Sequence, residues 1–171
     1  TYPNVSTATA SFEHCDEGGP VTVELGASKR VILKPLPDSA SVTFKGASST
    51  TLALVGGYSV SGTNIYDGLK SNYESGLYTA AKSMYRFING ASAAHNGDFL
   101  LYGVDSRVEV ASGSTFPLDR GGICGNAHII VDDATVTVDS TFTKSPLSTK
   151  PAVGGITNGT WSVAADLVLL P

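Results

Sequence analysis

The sequence predicts an all-β domain, an antiparallel β-sandwich with one short helix. Three observations carry this. About nine or ten short segments alternate apolar and polar residues, and each is closed by Gly, Ser, Asn or Pro. Charged residues make up only 15% of the chain, against ~25% in ordinary domains, and Ser, Thr, Gly, Ala and Val fill the difference. The chain also holds two cysteines, Cys15 and Cys124, which suit an oxidising compartment.

Taken in order, residues 1–12 (TYPNVSTATASF) read as an extended segment, either a first strand or an N-terminal arm. PVTVEL (20–25) alternates through Val21, Val23 and Leu25 and is a half-buried strand. RVILKPL (30–36) is cut by Pro35 and Pro37 and reads as an edge strand or a bend. SVTFKG (41–46), TTLALVGGYSV (50–60), FLLYGV (99–104), RVEVAS (107–112), HIIV (128–131), ATVTVDSTF (134–142) and WSVAADLVLL (161–170) complete the strands. Leu77, Ala80, Ala81, Met84, Phe87 and Ile88 recur at helical spacing, with Asn89-Gly90 as a C-terminal stop, so a helix is expected near 76–89. The length favours one domain over 1–171. VDSRVEVASGSTF (104–116) and VDDATVTVDSTF (131–142) echo each other, which leaves a parallel β-helix as the alternative fold. Against it, the echo has no regular period, since the step from Val42 to Val108 is far longer than the step from Val108 to Val136.

The net charge of −4 and a densest basic pair of only Lys29-Arg30 argue against nucleic-acid binding. No apolar run reaches the length of about 18 that a membrane-inserted helix needs, so none is expected. The chain starts at Thr1, which predicts a processed, secreted form. Asn4-Val5-Ser6 and Asn158-Gly159-Thr160 are glycosylation sequons if the source secretes through a glycosylating pathway.

Candidate chemistry is sparse. A Cys15–Cys124 disulfide would close a loop spanning most of the chain and contribute about 4 kcal/mol in the chain-entropy model. His14, Cys15, Cys124 and His128 could supply a tetrahedral zinc set, but adjacent His-Cys ligands are awkward, and no metal is expected. GGICGN (121–126) lacks the Lys-Ser/Thr of a phosphate loop and reads as a turn. Asp132-Asp133 and the Glu13, Asp16, Glu17 group read as surface carboxylates. Tyr58, Tyr66, Tyr73 and Tyr78 fall close together in the chain and are a candidate glycan-binding or partner-binding patch, although a tyrosine-rich connection covering the sheet edge is the favoured reading. No catalytic residue and no cofactor is expected, and the chain is read as non-enzymatic.

The two ends are the most specific feature. In GTWSVAADLVLLP (159–171), Trp161, Val163, Ala165, Leu167 and Leu169 alternate on one side after a turn Gly, and the far end is apolar on both faces. Such a strand needs neighbours on both sides. This terminal pattern, with the Thr/Ala/Ser-rich NVSTATASFEH segment at 4–14, resembles bacterial fimbrial subunits. The resemblance implies an immunoglobulin-like sandwich lacking one strand, completed by a neighbour's N-terminal donor strand. It places Val5, Thr7, Thr9 and Ser11 on the donor strand and implies self-association on a cell surface, with a host glycan or protein as receptor. The rival readings are a jelly-roll coat or projection protein of a virion, a carbohydrate-binding domain, and a polysaccharide-active enzyme.

Overall fold

Alternation of period two makes strands but does not choose their partners, and here the partners overturn the sandwich. The computed structural model describes residues 2–3, 9–12, 20–33, 41–55, 59–60, 62–74, 76–96, 99–101, 105–118, 121–123, 128–138 and 160–163. Among them the strands form three sheets. Sheet A runs β1 (Tyr2–Pro3), β3 (Val21–Leu25), β5 (Ser41–Gly46), β8 (Thr63–Asp67), β11 (Met84–Ile88), β14 (Arg107–Ala111), β17 (His128–Asp132). Sheet B runs β2 (Thr9–Phe12), β4 (Lys29–Leu33), β6 (Thr51–Val55), β9 (Lys70–Tyr73), β12 (Ser92–His95), β15 (Thr115–Leu118), β18 (Thr135–Val138), β19 (Thr160–Val163). Sheet C runs β7 (Ser59–Val60), β10 (Leu77–Thr79), β13 (Phe99–Leu101), β16 (Gly121–Ile123).

Every pairing between these strands is parallel. From β5 to β17 the chain passes from A to B to C and returns to A one layer further on, while among the described residues β1 to β4 alternate between A and B. The fold is a β-solenoid, so the antiparallel sandwich is replaced by the parallel β-helix alternative. The repeat is regular once strands are matched sheet by sheet. Val21 pairs with Val42, Thr63 with Met84 and Arg107 with His128, at the same sequence interval each time.

Inward positions stack in columns. Val23, Phe44, Tyr66, Phe87, Val110 and Val131 are register partners on successive strands of sheet A, and all are buried. A second buried column runs Val42, Asn64, Tyr85, Val108, Ile129. From sheet B, Leu52, Leu54, Tyr73, Phe116, Leu118 and Val136 close the interior. The rings stack where the coils do: Phe44 on Tyr66 at 5.9 Å and Tyr66 on Phe87 at 4.9 Å, with their planes within 15° and 17° of parallel. Neighbouring strands lie about 4.8 Å apart, so a flat ring pair fills the step without displacing the backbone.

The expected helix near 76–89 is also corrected. Residues 77–79 are β10 and residues 84–88 are β11. Between them the chain turns at Lys82, whose φ is 58°, and the Ser83 hydroxyl donates to the Ala80 carbonyl at 2.7 Å. The buried residues are Leu77, Thr79, Tyr85 and Phe87, at strand spacing, whereas Met84 and Ile88 are half-exposed. The helical periodicity came from mixing inward and outward residues across a turn.

Left-handed residues make the corners. Between A and B strands these are Gly68, Asn89-Gly90, Ser112-Gly113 and Asp133. Backbone bonds tie one corner to the next: Gly68 N–H to Ile88 O at 3.0 Å, Gly90 N–H to Ser112 O at 2.9 Å, Ser112 N–H to Asp132 O at 3.1 Å. Gly68 has φ +75°, and a Cβ there would lie 2.6 Å from the Gly46 carbonyl oxygen. Gly90 has φ +76° with no atom within 4 Å of such a Cβ.

Two outcomes are expected. Gly90→Ala should cost the left-handed penalty alone, about 1–2 kcal/mol, and Gly68→Ala should cost more because backbone must move; urea unfolding of the two variants checks the order. The Tyr66 and Tyr73 hydroxyls are buried near one another without a hydrogen bond of good geometry. Burial raises the Tyr66 phenol, with Tyr73 opposing, and burial followed by the nearby Tyr66 raises Tyr73 well above its usual value. Above about pH 10 the unfolded chain releases these protons while the folded chain keeps them. Their contribution should therefore be complete below about pH 10 and fade above it, and Tyr73→Phe should flatten that loss while changing neutral-pH stability by no more than about 1 kcal/mol. Cys15 and Cys124, the expected disulfide, lie outside the described residues.

Candidate functional site

With the interior filled by side chains, the chemistry available to a partner lies on the outer faces. On sheet B the outward residues form two columns. Thr51, Lys70, Ser92, Thr115 and Thr135 are successive register partners, and all are exposed or half-exposed. Two residues further along each strand stand Ala53, Asn72 and Ala94, then Pro117 paired with Thr137. Coil spacing sets these side chains about 4.8 Å apart in one direction and about 6.6 Å apart in the other. The outcome is a face of mostly short hydroxyl, amide and methyl groups, with the exposed Lys70 ammonium standing between Thr51 and Ser92.

At one margin Arg30 and Glu74 form a forked ion pair. Arg30 Nη2 lies 2.7 Å and Nε 3.0 Å from the two Glu74 oxygens. β6 lies between the two residues, and Ala53, the register partner of Arg30, leaves them room. The guanidinium holds the Glu74 carboxyl below its ordinary range, chiefly through the hydrogen bond. The outer face of sheet A has a comparable pair, with Arg86 Nε donating to Glu109 Oε2 at 2.7 Å. These pairs are partly exposed, and such pairs contribute little to stability. A shallow depression of 310 Å³ lies at an A–B corner and is lined by Glu24, Leu25, Gly26, Lys45 and Gly46.

The structure separates most of the residues singled out from sequence. Tyr66 and Tyr73 are 0% and 3% exposed and belong to the core, and Tyr78 is half-buried on β10. Tyr58 lies outside the described residues, so no tyrosine patch forms among those described. Thr9 and Ser11 lie on β2, whose partner is β4 of the same chain. Trp161 and Val163 lie on β19, opposite Val136 and Val138. Val5, Thr7, Ala165, Leu167 and Leu169 lie outside the described residues, as do Glu13, His14, Asp16 and Glu17. Asp132 and Asp133 are exposed at a corner, where their carbonyls accept from Ser112 and Gly113. Among the described residues no group of three or more His, Cys, Asp or Glu could hold a metal, and no helix is long and apolar enough to cross a membrane.

Sequence reasoning missed the sheet B face because its members, such as Thr51, Ser92, Thr115 and Thr135, are each separated by a whole coil or more of chain. The signal that finds them is the coil-to-coil register. Compared with known proteins, the chain matches no family model, no curated protein and no solved structure.

Proposed function

We propose that the chain is a non-enzymatic structural and attachment module of the cell exterior, a solenoid rod whose sheet B face meets an extended, repetitive polymer such as a polysaccharide. The observation that carries this reading is the in-register array on sheet B. Its short polar groups repeat at the coil spacing on a rigid surface. A periodic partner would meet a hydroxyl at four of the five steps of the first column, Thr51, Ser92, Thr115 and Thr135, so weak contacts add up without a deep pocket. The low charge and the Ser/Thr-rich composition suit a surface-displayed protein.

The Arg30–Glu74 pair favours attachment over hydrolysis at this face. Arg30 holds the Glu74 carboxyl below its ordinary range. A general acid needs a raised pKa. Donor-strand exchange is not carried forward, because it requires a sandwich that lacks a strand, and β2 and β19 already have partners within the chain.

Pull-down on insoluble polysaccharides, scored with face variants, tests the reading. Thr115→Lys with Thr137→Lys should lower binding at least about tenfold while leaving stability within about 0.5 kcal/mol per site, since both residues are exposed. Arg107→Glu, exposed on sheet A, should leave binding intact. Equal loss from both faces, or none from sheet B, would overturn the proposal.

A further inference from the structure

The corner joining β11 to β12 contains Asn89-Gly90, and both residues are exposed. An Asn followed by Gly is chemically labile, because glycine has no Cβ to keep its backbone nitrogen away from the Asn carboxamide. We propose that Asn89-Gly90 is a modification site: a spontaneous deamidation site held closed by the coils on either side.

In the reaction the Gly90 nitrogen loses its proton to hydroxide and bonds to Asn89 Cγ. The Asn89 Nδ2 group leaves as ammonia, and a five-membered imide results. Addition of one water opens the imide to aspartate or isoaspartate.

The folded corner opposes this at both reacting atoms. The Gly90 N–H donates to Ser112 O at 2.9 Å, which ties the nucleophile to the following coil. Asn89 Nδ2 donates to Asp67 Oδ1 at 2.8 Å, which ties the leaving group to the preceding coil. Solvent reaches the site freely, so these two bonds are the restraint. Cyclisation needs both to open, and its rate follows the population of the open corner.

The product cannot restore the corner. An aspartate at 89 sets a second negative charge against Asp67 where a donor had been. An isoaspartate adds a backbone carbon and shifts Gly90 out of register with Ser112. Deamidation at this position therefore converts a transient opening between coils into a permanent one.

The test is peptide mapping by mass spectrometry of the full chain held near pH 9, following the one-dalton gain at position 89. The urea-unfolded chain supplies the reference rate. The folded chain should react at least about tenfold more slowly than the unfolded one. Asp67→Ala should accelerate the folded chain several-fold, whereas Asp67→Asn, whose amide oxygen still accepts, should stay slow. Circular dichroism confirms that both variants remain folded. A folded chain that reacts at the unfolded rate would overturn the proposal, as would an Asp67→Ala chain as slow as the parent.

Discussion

Everything in this fold depends on the strand-to-strand step. Parallel pairing fixes neighbouring coils at about 4.8 Å, and each inward residue must fit against the one above and below it at that distance. Tyr66 and Phe87 meet the requirement with ring centres 4.9 Å apart and planes within 17° of parallel. Phe87 then turns its other side to Phe116 from sheet B, at 4.9 Å and tilted by 55°. The same step sets the corners, where one coil's amide reaches the next coil's carbonyl, and it sets the outer columns. Core, corners and surface are three readings of one spacing.

Polar residues inside the lumen obey the constraint in a different way. Ser83 and Ser106 are buried at successive corners. Ser83 bonds to its own turn, and Ser106 accepts from Thr79 at 3.1 Å. Ser71, also buried, donates to the Ser92 carbonyl on the adjacent strand. Short hydroxyls suit a narrow interior because Ser71 and Ser83 reach backbone carbonyls and Thr79 reaches Ser106, which leaves the large rings to fill the centre.

The all-β class and most strand positions were legible in sequence, since Val21–Leu25, Ser41–Gly46 and Arg107–Ala111 alternate cleanly. Strand direction was not, because period-two alternation is the same in parallel and antiparallel sheets. The repeat was partly visible but misaligned. Matching Val108 with Val136 compares a sheet A strand with a sheet B strand, whereas the true partner of Val108 is Ile129. Chemically varied residues hide the period: Val42, Asn64, Tyr85 and Val108 share one column. The tyrosines stand out by their clustering, yet Tyr66 and Tyr73 cluster because the core recruits them. The outer face was illegible without register, since its members are never neighbours in sequence.

A stack of coils is in first approximation a one-dimensional system, in which each unit feels only the units beside it. The Arg30–Glu74 pair breaks that rule, because it joins β4 to the end of β9 and passes over β6. It couples next-nearest neighbours through an exposed contact that salt can screen. Three coils near the start of the chain are thereby linked in a way that responds to ionic strength, while the backbone ladder beneath them does not. The length over which the rod loosens together is in part a property of the surrounding solution.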